Sequence, residues 1–191
     1  MLGIWQKFKN LSPPVQWLII FIVMVLGLSF LFAPRPQPVD WSEISFHTQS
    51  SAEIYFHNVR SYYYRINERE KAPFILYRLK RGGSGTLSFM IVENRQADEA
   101  YIFADIPEDI RQLERVTIAF DNDSSWESGL GKFTNEDHFR LAARTYGHLL
   151  RDEQIYLLNL KDTVDQLFAD KQQRRNALTV LEDYFKLVKK E

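Results

Sequence analysis

The sequence contains no cysteine, which rules out disulfide frameworks, thiolate zinc sites, iron–sulfur clusters and thiol nucleophiles together. The compartment stays open, because a domain of about 150 residues buries enough surface to fold without staples in either redox setting. A basic excess is also missing. Of 24 basic and 25 acidic residues, the first 40 positions carry Lys7, Lys9, Arg35 and Asp40, so the remainder holds 21 against 24, a formal net of −3. Phosphate backbones demand clustered positive charge, so no nucleic-acid partner is expected.

The usual signatures of chemistry are absent as well. "RGGSGT" lacks the lysine of a phosphate loop, and "SGLGKFT" has Phe133 where a magnesium-binding hydroxyl is required and no glycine at the earlier position. Around Ser84 a nucleophile elbow fails because Thr86 stands in its last position. "DNDSSWESGLGK" places Asp121, Asp123 and Ser125 at calcium-loop positions, but Trp126 replaces the turn glycine and Lys132 the bidentate glutamate. That leaves a polar loop or a weak, irregular calcium site. "NDS" at 122 to 124 is a glycosylation acceptor pattern, meaningful only in a eukaryotic secretory setting.

What is present begins with a long charge-free run. Val15 to Ala33 reads VQWLIIFIVMVLGLSFLFA, with Lys9 and Arg35 as the nearest charges and Gln16 and Ser29 as its clearly polar side chains. Nineteen helical residues nearly cross a hydrocarbon layer of about 30 Å. A cleaved signal would have a shorter apolar region and a small residue where Leu31 stands, and Pro34 follows the would-be scissile bond, so the run reads as an uncleaved anchor. Pro34, Pro36 and Pro38 stop the helix and favour extended geometry, which predicts a short, stiff spacer. Lys7 and Lys9 before the span, against Arg35 alone after it, predict a cytoplasmic N-terminus and a domain outside the cytoplasm. The expected divisions are a cytoplasmic or interfacial N-terminus (1–14), a transmembrane helix (15–33), a proline-rich linker (34–40) and an α+β domain (41–191).

With 45% hydrophobic and 26% charged residues, the remainder has the composition of a folded domain. Strand patterns are expected around Ile44 and Phe46, over Ile54 to Ile66, and as a hairpin of Phe74 to Leu79 with Leu87 to Val92 around Gly82, Gly83 and Gly85. Ala100 to Ile106 and Val116 to Phe120 add two more, with a helical turn in "PEDIRQLE" between them. Thr134 with Asp137 forms a capping box ahead of the stripe Phe139, Ala142, Ala143, Tyr146, Leu149 and Leu150. Residues 153 to 160 read as strand or helix, and Asp162 is expected to open a helical stretch through Val164, Leu167 and Phe168. Leu178, Leu181, Phe185 and Val188 mark a last amphipathic helix, with Glu182 and Lys186 paired on its wet side. The sum is an α+β fold: an N-terminal transmembrane helix, then an antiparallel sheet of five to six strands followed by two to three helices packed on it.

Two clusters are candidates for function. His47 and His57, meeting across a sheet with an acidic neighbour such as Glu53, would make a metal or acid–base site; ordinary surface histidines are the simpler reading. His138 and His148 lie ten residues apart and are misaligned for a shared ion. The second cluster is "YFHNVRSYYYRI". Tyr62, Tyr63 and Tyr64 occupy both faces of any strand they form, so one ring is buried and one or two are exposed beside Arg60 or Arg65. Exposed Tyr and Arg are enriched at binding hot spots; a half-buried sheet accounts for the same residues through β propensity alone. No catalytic residue, cofactor or metal is assigned. The chain reads as a non-enzymatic, membrane-anchored interaction or assembly module with a protein partner in or near the membrane. The alternatives are a tethered cysteine-independent hydrolase and a small-ligand sensor.

Overall fold

The computed structural model describes residues 11–31, 36–40, 42–68, 73–81, 87–107, 110, 116–120, 126–127, 133–159 and 162–188. Two compact units result, Met1–Pro36 and Gln37–Glu191. In the first, α1 (Pro13–Leu31) is a 19-residue helix. Pro13 and Pro14 occupy its opening turn, where a missing amide hydrogen costs nothing. Trp17, Leu18, Phe21, Val23 and Leu26 are all more than half exposed, so the helix shows no single apolar stripe. Its side chains are described as far as Leu28, and among the described residues no helix is long and apolar enough to cross a membrane. Residues 1–10 of the expected N-terminal segment 1–14, and residues 32–35, the end of the expected span and the start of the expected linker, lie outside them.

The second unit is α+β. Strands β1 (Tyr64–Glu68), β2 (Phe74–Leu79), β3 (Ser88–Asn94) and β4 (Glu99–Asp105) form an antiparallel meander in chain order. Its registers align Ile66, Tyr77, Ile91 and Ile102 in one row across the sheet. Period-two alternation puts Tyr64, Ile75, Tyr77, Phe89, Ile91, Ala100, Ile102 and Ala104 on one face, and all eight are buried. The expected hairpin is β2 with β3; its glycine loop lies outside the described residues.

In place of the single sheet expected, a second one exists. Its order is β6-β5-β7-β8, from β5 (Val116–Phe120), the two-residue β6 (Trp126–Glu127), β7 (Ile155–Asn159) and β8 (Asp162–Leu167). Residues 155–159 therefore resolve as strand. The helix expected from Asp162 is corrected to a strand: β8 pairs antiparallel with β7 through an irregularity at Leu157/Leu158. Phe168 then turns the chain at φ 57° and buries its ring stacked on Phe89. A left-handed phenylalanine costs about 1–2 kcal/mol, which burial of a large ring offsets.

Two long helices complete the domain. α3 (Asn135–Leu150) packs on β4, and α4 (Lys171–Val188) packs on β3, β4 and α3. Every member of the expected α3 stripe is buried except the half-buried Leu150, and in α4 Leu181, Phe185 and Val188 are buried with Leu178 half-buried. Lys186 Nζ lies 2.6 Å from Glu182 Oε1, as the spacing predicts. Asp170, not singled out in the sequence, caps α4 by accepting from the amides of Gln172 and Gln173. Of "PEDIRQLE", the Ile110 amide donates to the Pro107 carbonyl; most of the rest lies outside the described residues. At the domain's start Val39 packs on the core, and residues 44–48 lie along β4 with one bridge, His47 to Glu99, where a strand was expected.

The capping box forms in full. Thr134 Oγ1 accepts from the Asp137 amide at 3.2 Å while Asp137 accepts from the Thr134 amide at 2.9 Å. Thr134→Ala should cost about 1 kcal/mol, read as a Tm fall of about 2–4 °C by circular dichroism. The Thr134 amide and hydroxyl hold the Asp137 carboxyl below its ordinary value of 3.8. The contribution is therefore complete above that value and fades as pH falls through the lowered one. A deficit in Thr134→Ala that persists undiminished in strong acid would exclude the reciprocal bond as its source.

Candidate functional site

Residues 50–63 are helical, although a strand was expected from Ile54 to Ile66 and forms only from Tyr64. Gln49 is extended, α2 (Ser50–Tyr55) follows, a π turn covers Phe56–Arg60, and a 3₁₀ turn covers Ser61–Tyr63 before β1 begins. β propensity loses here because the segment is held from its inner side by partners remote in the chain. Phe56 is buried with its ring 5.1 Å from that of Tyr77 and 5.6 Å from that of Tyr64. The Arg60 guanidinium meets Asp183 of α4 at 2.8 Å, and the Tyr64 hydroxyl donates to the same carboxylate at 2.7 Å. That bond to Asp183 holds Arg60 more firmly charged, and burial followed by the nearby carboxylate drives the Tyr64 hydroxyl far above its ordinary range. The Gln49 amide donates to the Leu187 carbonyl, a further tie between this segment and α4.

Apart from the buried Phe56, the polarity of the segment is inverted. Its inward groups include His57 and Arg60, while Ile54, Tyr55, Val59, Tyr62 and Tyr63 are between 46% and 76% exposed. An ordinary surface helix does the opposite. Tyr62 and Tyr63 meet edge to face at 5.8 Å. Lys80 sits 4.7 Å above the Tyr62 ring and donates to the Tyr62 carbonyl, and Arg60 lies 5.2 Å from the Tyr63 ring. Of the five residues the sequence singles out, Tyr62, Tyr63 and Arg60 thus form one cluster. Tyr64 lies inside the core, and Arg65, exposed in β1, points to the opposite sheet face by alternation.

Beneath this segment lies a second cluster. Glu53 and His57, four residues apart, meet Glu93, which projects from the buried face of β3. His57 Nε2 is 3.1 Å from Glu93 Oε2, which also accepts from the Tyr77 hydroxyl at 2.8 Å. Nε2 stands 2.9 Å from Oε1 too, but that oxygen makes no hydrogen bond although Glu93 is only 3% exposed. Burial, and then the Glu93 carboxylate, raise the Glu53 carboxyl above its ordinary value. Such a set can share a proton or ligate a cation.

The remaining histidines are not drawn in. His47 is exposed on the β4 edge. His138 and His148, expected only to be misaligned for a shared ion, are both buried: His138 Nδ1 accepts from the Ala104 amide at 3.2 Å, and His148 stacks on Phe120 and meets Glu153 at 2.5 Å. Sequence reasoning missed Glu93 and Asp183, although each leaves a trace. Glu93 falls in phase with Phe89 and Ile91 in β3, and Asp183 lies on the inner stripe of α4 between Val180 and Leu187. A carboxylate at an apolar position implies a buried partner. No family model, curated protein or solved structure matches the chain.

Proposed function

We propose that the protein is a single-pass membrane protein whose α+β domain lies outside the cytoplasm and acts by contact, as an accessory or assembly module of a membrane complex. The carrying observation is the inverted segment: five large apolar or aromatic side chains, Ile54, Tyr55, Val59, Tyr62 and Tyr63, face solvent from a segment fastened on its other side. Patches of this kind mark interaction sites. Anchoring is supported by the charge-free run from Val15 to Ala33 and by its lack of a polar face. A spacer of a few residues at about 3.1 Å each keeps the domain within reach of the bilayer. The partner is therefore a protein in or beside the same membrane, presenting an apolar surface flanked by an acceptor for the exposed Lys80.

Two measurements test this. With no native cysteine to interfere, Gln96→Cys, at an exposed turn position, should react with an impermeant maleimide in intact cells. Labelling only after lysis would put the domain in the cytosol. A photocrosslinking amino acid at position 62 or 63 should then give a discrete adduct with a membrane protein that is missing with the probe at Arg175. Tyr62→Ala should weaken that contact by about 2 kcal/mol, roughly thirtyfold in Kd, while changing stability by under about 0.5 kcal/mol. No position-specific adduct at either tyrosine removes the contact reading.

A further inference from the structure

We propose that Glu53, His57 and Glu93 form a binding site for one divalent first-row transition ion, such as Zn²⁺. The three side chains each offer a donor atom, and these atoms all lie within 4.8 Å of one another. Bonds of about 2.0–2.2 Å to such an ion require donors roughly 3–4 Å apart, so the set closes on a cation with a movement below about 1 Å. One imidazole and two carboxylates suit an ion of intermediate softness better than calcium, which takes six to eight oxygens.

Two features distinguish the cluster from a chance meeting of acids. Glu93 is almost wholly buried, yet Oε1 has no hydrogen bond and is turned toward His57. A buried carboxylate compensated only by one half-buried imidazole and one hydroxyl is costly, and a cation would offset its charge more fully. The second is the outer support. The Tyr77 hydroxyl holds Oε2 of the same carboxylate at 2.8 Å, the arrangement by which metal-ligating carboxylates are oriented. Arg95 reaches Tyr77, and the charged groups acting on Glu53 are Glu93, His57 and Asp98. Carboxylates predominate around the site, so a dication offsets charge that the fold otherwise leaves crowded.

The site stands independently of any contact surface, and its test needs no partner. Full-length protein in mild detergent is stripped with a chelator and titrated with Co²⁺ by visible absorption, then with Zn²⁺ in competition. One equivalent should bind with a d–d spectrum that Zn²⁺ abolishes. His57→Gln and Glu53→Gln, both at half-buried positions, should weaken binding more than about a hundredfold, and Tyr77→Phe about tenfold. His47→Ala should leave it unchanged. A wild-type chain with no stoichiometric Co²⁺ spectrum would overturn the proposal and leave two carboxyls sharing a proton. Binding that survives in folded His57→Gln or Glu53→Gln protein would overturn it equally, by placing the ion elsewhere.

Discussion

Asp183→Ala is expected to destabilise the domain by about 3 kcal/mol or more, the cost of leaving a buried ionic partner uncompensated. Asp183 is 5% exposed and receives both the Arg60 guanidinium and the Tyr64 hydroxyl. Removing it strands two donors at once. The network as a whole is another matter. Burial raises the Asp183 carboxyl above its ordinary value against the pull of both donors, so desolvation outweighs what they return. Replacing all three members together, as Arg60→Met with Tyr64→Phe and Asp183→Leu, should then change stability by under about 1 kcal/mol. Urea unfolding followed by tryptophan fluorescence separates the cases. A single Asp183→Ala costing less than about 1 kcal/mol would mean that the carboxylate is not the fastening assigned to it.

The second large effect belongs to Phe139. This ring is 2% exposed and meets Phe46 at 6.0 Å, Tyr184 at 6.2 Å and Phe185 at 5.7 Å. It joins the stretch along the β4 edge to α3 and α4. Phe139→Ala should cost about 3–5 kcal/mol through lost transfer energy and the cavity left behind. Tyr62→Ala removes a ring of similar size from a 76% exposed position and should cost almost nothing in the same assay. Comparable losses for the two would contradict the burial pattern from which the docking surface is argued.

Legibility in the sequence follows the range of the interactions. Thr134 and Asp137 announce themselves because a capping box is decided within four residues, and the β2–β3 hairpin and the α4 stripe are equally local. The helical form of 50–63 is not legible. Tyrosine, valine and isoleucine there favour strand, and the deciding bonds reach Glu93 and Asp183, 36 and 123 residues from their partners His57 and Arg60. The strand at Asp162–Leu167 looks helical in the sequence for the same reason: its pairing with β7 decides it, and its local period does not. Nor does the pattern say that β5 pairs with β7 across the whole of α3, which divides the strands into two sheets. At the site, the sequence names Glu53 beside His57, but their meeting depends on the helical turns of 50–60 and Glu93 on the fold, so the cluster itself is not legible.

The ties from Gln49, Arg60 and Tyr64 to α4 also set an order of events. Synthesis runs from the N-terminus, so residues 50–63 leave the ribosome well before their fasteners Asp183 and Leu187. Until the last helix docks, that segment is held to the sheet by Phe56 against Tyr77 and Tyr64 and by His57 at Glu93. Closing the loops of 119 and 123 residues from Tyr64 and Arg60 to Asp183 is slow compared with forming a hairpin. Docking of α4 thus precedes the final fastening of this segment. A truncation that removes α4 should leave the aromatic segment without its ties to Asp183 and Leu187 and more open to proteases than in the intact domain.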